Sequence, residues 1–341
     1  MARIAIDSAR QKLVEAGKIR GLSQKEAELI ADDLLDAEMS GSKTHGVAKL
    51  AVINEAIRNR RGSPKVIKDA SVYALVDGQG ELGQLATNYC VDLLIPKAQE
   101  HGLGLVALKN ASRYGRLTPY ARRIASSGLV AIITNSAGPA AVAPYGSYAP
   151  ILGTNPICIA LPHSNDPVVM DFATSETVWG EIRRAILEGR DLPPQTFYKS
   201  DGAYAVHPQE ANAVRAFGGA KGYALCFAIE VLCGAFVGAK MGLAVDSEYD
   251  LGFLFFALDP RMFLDDVDTY YAEVTKLADD IRQSPAINPG DQVRLPGDRS
   301  LHQKKQCLLT GVIEIADGVW DMVCKMADDP QAGLVSTNLT D

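Results

Sequence analysis

Apolar residues in the first sixty positions recur at helical spacing. Ala27, Leu29, Ile30, Leu34, Leu35 and Ala37 repeat near a period of 3.6 and predict one helix face turned inward. Ser23-Gln24-Lys25-Glu26 fits a capping box, in which the Ser hydroxyl and the Glu carboxylate satisfy each other's free backbone amides. Gly17 and Gly21 mark the turn before this helix, and Gly41 is expected to end it. From Val72 the pattern shortens. "SVYALVDG", "GLGLVALKNAS", "GLVAIITNSAG", "PICIALP" and "PVVMDFATS" read as strands closed by turn residues, with a helix over 88–101 between the first two. A long apolar helix is expected over 222–239. A strand runs into the turn at Asp259-Pro260, a helix follows over 267–283, and the tail returns to helix after a turn at 294–300. Short strands mixed with helices predict an α/β or α+β middle between helical ends.

Composition narrows the partners. The chain has 341 residues, 47% of them hydrophobic, and a formal net charge of −7. That is enough chain for two domains, and the acidic balance argues against nucleic acid as a partner. Two compact basic groups, Arg58-Asn59-Arg60-Arg61 and Lys304-Lys305, read as solvated faces. The six cysteines include no C-x-x-C pair, so free thiols of a reducing compartment and no metal centre are expected. The N-terminus turns polar too early for a secretory leader, and Glu230 interrupts the longest apolar helix, so a cytoplasmic protein without a membrane span is expected.

Two stretches carry candidate chemistry. "GSKTHGVAKL" places His45 between Thr44 and Gly46, with Lys49 four residues on, near a helix boundary. An imidazole there is either a proton donor or an ordinary packed histidine. "GGAKGYALCFAIEVL" opens a helix with Gly218, Gly219, Lys221 and Gly222, which is either an anion site or a packing device. The usual dinucleotide fingerprint is not expected; "GLGL" at 102–105 does not supply it.

The ordered series "THGVAKL", "NASRYG", "GLVAIITNS", "APYG", "LGTNPICIALP", "MDFATS", "GGAKGYALCFAIEVL", "ALDP" and "LPGDR" resembles the malate/L-lactate dehydrogenase family of the second type, over about residues 5 to 325. That family also holds ureidoglycolate, sulfolactate and diketogulonate dehydrogenases and piperideine-2-carboxylate reductases. The resemblance implies a non-Rossmann NAD(P)-binding domain with a mostly antiparallel sheet flanked by helices. It also implies a helical domain built from both chain ends, and a homodimer. The expected division is 1–70, packing with 300–341, against a catalytic and cofactor domain over 71–299. The implied reaction moves a hydride between NAD(P)H and C2 of a small 2-oxo or 2-hydroxy acid. NADPH is the favoured form.

By the same resemblance, His45 is the proton donor, and Thr44, Lys49, Arg113 and Thr154 meet the substrate. Thr154 reads equally as a structural turn. Asn135 and Ser136 neighbour the nicotinamide, and Asp171, Phe172, Ala173, Thr174, Lys221, Gly297, Asp298 and Arg299 contact the cofactor. Arg299 could meet a 2′-phosphate or pair with Asp298. Three positions depart from the family. Lys49 stands where an arginine is usual, and Arg113 where a histidine is usual. A guanidinium does not titrate in proteins, so Arg113 binds a carboxylate, polarises a carbonyl oxygen or forms a salt bridge. Lys199 stands where an acidic residue is expected, and if it faces the pocket with Arg113 the field there is unusually positive. Reduction of a cyclic 2-imino acid of the piperideine or pyrroline-2-carboxylate type is the rival reading. A dinucleotide-binding relative without redox activity is a further one.

Overall fold

The computed structural model describes residues 1–330 and residue 332. In chain order the elements begin with β1 (Ala2–Ala5), α1 (Ile6–Lys18), α2 (Gln24–Met39), α3 (Leu50–Arg58), β2 (Lys65–Asp69), β3 (Tyr73–Glu81), α4 (Gly83–His101) and β4 (Leu103–Ala111). Next come α5 (Thr118–Ala125), β5 (Val130–Asn135), β6 (Val142–Ala143), β7 (Ile157–Leu161), β8 (Val168–Phe172), α6 (Gly180–Glu188), β9 (Phe197–Tyr198) and β10 (Ala213–Arg215). The chain closes with α7 (Ala220–Cys233), β11 (Leu251–Leu258), α8 (Val267–Arg282), α9 (Asp298–Thr310), β12 (Val312–Ile315) and α10 (Asp317–Asp328).

The main sheet has seven strands in the order β2-β3-β4-β11-β5-β7-β8. Only β3 and β4 pair in parallel; the other neighbours are antiparallel, as expected. α4 and α5 cover one face, burying Cys90, Val91, Leu94 and Ile124 against Val76, Val106, Leu108 and Ile133. α7 covers the other, where Ile229 and Cys233 meet Leu254. β11 lies between β4 and β5 and is apolar throughout because both of its faces are covered. A small sheet, β6-β10-β9, packs with α6 and the start of α7 around Val142, Phe197, Val214 and Cys226.

The chain ends share one core. Leu13, Ile30, Leu34, Leu35, Ile53 and Ile57 bury with Ile313, Ile315, Val323 and Met326. The Ser23–Glu26 capping box forms, and α2 ends at Met39 with Gly41 at φ +78°. The ends are not wholly helical, however. β1 and β12 pair antiparallel, Ala2 opposite Ile315. Four residues of alternating exposure are too short to signal a strand until their partner, at the other end of the chain, is known. The apolar helix stops at Cys233, short of 239, where Gly234 and Gly238 leave helical geometry.

Of the basic groups read as solvated faces, Arg58 and Arg61 are exposed, whereas Arg60, Lys304 and Lys305 are paired with acids remote in sequence. Arg60 joins Glu26 and the buried Glu81 at 2.7 Å each. Lys304 lies 2.5 Å from Asp36, and Lys305 2.6 Å from Asp166. All six cysteines are free, four of them buried. Among the described residues no helix is long and apolar enough to cross a membrane.

Candidate active site

The histidine loop hangs from the end of α2. Glu38 is 4% exposed and turns its carboxylate to the loop: one oxygen accepts from the Val47 amide at 2.9 Å, the other from Lys43 Nζ at 2.6 Å. Gly46 lies directly against that carboxylate, where any Cβ would overlap it. Lys43 also donates to the Glu314 carbonyl of β12 at 2.5 Å, so both chain ends hold the loop. Two short 3₁₀ turns result, Lys43–His45 and Val47–Lys49.

His45 Nδ1 lies 3.0 Å from Thr44 Oγ1, which engages one ring nitrogen. Burial, then the charges of Lys49 and Arg116, pushes the imidazole down to about 4. The ring is therefore neutral at neutral pH. Burial also pushes Lys49 down to about 8, aided by Arg113 and Arg183 and opposed by Glu248. Arg113 is half exposed and pairs with Glu248 at 2.9 Å. Thr44 thus touches His45, and the charges of Lys49, Arg113, Arg183 of α6 and Glu248 act around that ring and one another. Lys199 plays no part in this charge set: it pairs with Glu210 at 2.6 Å.

Behind the histidine lies a second charged layer. Arg116, 9% exposed, pairs with Asp36 and lies 3.4 Å from Ser42 Oγ. Burial disfavours the Asp36 carboxylate, yet Lys304, Arg116 and Arg122 together hold its pKa below the usual range. The neighbouring Asp33 has the opposite balance. Burial outweighs Arg116, and its carboxyl is raised to about 7.

Most of the expected cofactor residues form a second cluster. Thr174 donates to the Thr154 carbonyl from its amide at 2.9 Å and its hydroxyl at 3.1 Å, and its own carbonyl accepts from the Phe217 amide. The Phe172 and Phe217 rings meet edge to face at 5.9 Å. Gly218 and Gly219 both have positive φ, and Lys221 follows, exposed and without a partner among the described residues. The amide and hydroxyl of Thr118 both donate to the Asp171 carboxylate, which anchors α5. Asn135 is buried; its amide donates to the Gly252 carbonyl at 2.9 Å, and its Oδ1 has no donor among the described residues. Ser136 binds Gly252 as well.

Glu230 explains how these loops hold their shape. Its buried carboxylate accepts from Asn155 Nδ2 at 2.5 Å, the Gly242 amide at 2.6 Å and the Gly153 amide at 3.2 Å. Gly297, Asp298 and Arg299 lie apart, beside Val169 at the other end of β8. Asp298 pairs with Arg282, not Arg299. Arg299 instead lines an open groove of about 970 Å³ with Arg282, Arg294, His302 and Lys305.

Sequence reasoning missed Glu38, Arg116, Arg183 and Glu248. Glu38 had a signal: it follows Leu34 by four residues on the buried face of α2, where an acid needs partners. The others had none, because their partners come from distant elements.

Relatives that align along most of the chain are dehydrogenases and reductases, and the protein is an oxidoreductase. The sequence model of the malate/L-lactate dehydrogenase family matches residues 4–324, and the chain belongs to that family. It is 29% identical to the malate/(S)-sulfolactate dehydrogenase of Methanothermus fervidus, over 96% of this chain and 97% of that one. It is also 29% identical to a Δ1-pyrroline-2-carboxylate reductase of Burkholderia ambifaria, over 90% and 92%. The sulfolactate dehydrogenase structure from Methanocaldococcus jannaschii superposes with a TM-score of 0.86 at 26% identity, covering 96% of this chain and 97% of that one. Membership implies a nicotinamide cofactor and a small hydroxy-, oxo- or imino-acid substrate.

Proposed function

We propose that this protein moves a hydride between NAD(P)H and C2 of a small 2-oxo or 2-hydroxy acid, with His45 handling the proton at the C2 oxygen. The nicotinamide supplies or accepts the hydride. The observation that carries the reading is an imidazole held 3.0 Å from Thr44 Oγ1, which burial and then the charge of Lys49 keep neutral. A neutral ring accepts the hydroxyl proton during oxidation. In reduction the arriving negative charge of the substrate favours the protonated ring, which then gives that proton to the forming alkoxide. Lys49 attracts the C1 carboxylate as a point charge.

The second cluster supports dinucleotide binding. Lys221 and the backbone at Gly218 and Gly219 suit phosphate, the unanswered Oδ1 of Asn135 suits a donor, and the exposed Phe172 ring offers an apolar wall. Arg299, with Arg294 and His302 beside it, favours NADPH by suiting a 2′-phosphate. A homodimer is the fitting assembly, because Phe227, Phe236 and Leu243 on and after α7 stand exposed at 53, 64 and 71%.

One observation favours the rival imine reaction: a protonated iminium takes hydride with no later proton transfer, which a neutral His45 permits. The cations around His45 oppose it. NADH and NADPH oxidation across a panel of 2-oxo acids and cyclic 2-imino acids decides between them. Turnover confined to the cyclic imines would overturn the oxo-acid reading.

A further inference from the structure

The cations beside His45 outnumber the anions. The charges of Arg113 and Arg183 both act on Lys49, and among the described residues the carboxylate set against them is Glu248, which pairs with Arg113 at 2.9 Å. Arg183 acts from α6, an element that the histidine loop does not adjoin in sequence. That helix approaches the loop at Gly180: a Cβ on Gly180 would lie 3.9 Å from the Thr44 methyl. Residue 183 follows Gly180 by three positions, so it lies on the same side of the helix, one turn further along.

The other arginines of this region are occupied. Arg184 pairs with Glu188 at 2.9 Å, and Arg190 with Glu181 and Glu188. Arg183 is exposed and has no acidic partner among the described residues. The charge set is therefore two negative charges short. A C1 carboxylate at Lys49 supplies one.

We propose that Arg183 is a specificity-determining residue which, with Arg113, binds a second anionic group on the substrate. The inference rests on the 2-oxo acid reading and narrows it to acids carrying a second carboxylate or other oxyanion, a few bonds beyond C2. A dianion neutralises the set, whereas a monocarboxylate leaves one cation unanswered. The guanidinium fork suits an oxyanion in a way that a lysine does not. Glu248 is then the internal competitor: it holds Arg113 until the second anionic group takes its place.

The test uses the full-length protein with NADPH present and the redox-inert probes succinate and propionate, followed by calorimetric titration. Wild type is expected to bind succinate at least tenfold more tightly than propionate. Arg183→Ala is expected to abolish that preference, and Arg184→Ala, on the neighbouring face, to keep it. Glu248→Gln should strengthen succinate binding severalfold. The matching kinetic comparison is oxaloacetate against pyruvate, where Arg183→Ala should lose at least tenfold more kcat/KM on oxaloacetate, mostly through KM. Equal binding of the two probes by wild type, or an undiminished preference in Arg183→Ala, would overturn the proposal. If the preference depends on Arg183 but no 2-oxo acid is reduced, the second-anion site stands and the oxo-acid reading falls.

Discussion

The Glu38 carboxylate rests against the bare backbone of Gly46 and accepts the Val47 amide at 2.9 Å, so the shape of the histidine loop depends on a missing side chain. Gly46→Ala forces the two groups apart. Because Glu38 is buried and also holds Lys43, the loop yields first. Overpacking of this kind costs about 1–3 kcal/mol. The expected outcome is a lower melting temperature and a fall in kcat/KM larger than the fall in NADPH affinity. Wild-type kinetics in this variant would show that the loop geometry does not matter.

His45→Ala should lower turnover at least about a hundredfold, as expected for a lost acid–base group. NADPH affinity, followed by fluorescence, should change little, because the second cluster is untouched. Near-normal turnover would remove His45 from the chemistry.

The pH profile follows from two lowered pKa values. In the oxidation direction His45 works neutral, so kcat/KM should fall on acidification through about 4. Lys49 works charged, so kcat/KM should fall again as pH rises through about 8. Between these limbs the profile should be flat. Lys49→Arg should abolish the alkaline limb, because a guanidinium keeps its charge. An alkaline limb that survives in Lys49→Arg would belong to another group.

Lys221→Ala should weaken NADPH binding without lowering the melting temperature, since its side chain is exposed and makes no hydrogen bond or ion pair among the described residues. Unchanged affinity would reduce the glycine-rich entry of α7 to a packing feature.

Asp33 makes a stability prediction. Its folded carboxyl titrates near 7, well above the unfolded value near 4. Between those values the folded state holds the extra proton, so stability falls as pH rises, and the loss is complete above about 7. The full penalty is about 4 kcal/mol at most. Asp33→Asn keeps the size and cannot ionise. Its melting temperature relative to wild type should therefore rise by several degrees between pH 4 and pH 8. A difference that does not vary with pH would mean that Asp33 stays ionised in the fold.

Much of the architecture was legible because it is local. The capping box at Ser23, the β-rich runs and the turn at Asp259-Pro260 each announce themselves within a few residues. The THG loop was legible as a motif, and its neighbours Lys49 and Arg113 came with it. What the sequence hid was pairing at a distance. β1 finds β12, Arg60 finds Glu81, and the charge of Arg183 acts on Lys49 from α6, whose Gly180 lies beside Thr44. Glu230 stood out as a charge in an apolar helix, but its three partners lie on loops that no periodicity orders.

The antiparallel pairing of β1 with β12 also sets a timetable for synthesis. Lys43 donates its second hydrogen bond to the Glu314 carbonyl, and the core under the histidine loop includes Ile313, Val323 and Met326. While the chain emerges from a ribosome, the seven-stranded sheet has all its strands once Leu258 is out, but the loop bearing His45 waits for nearly seventy further residues. A nascent or prematurely terminated chain therefore exposes the apolar faces of α1 and α2, the surface that chaperones and proteases read.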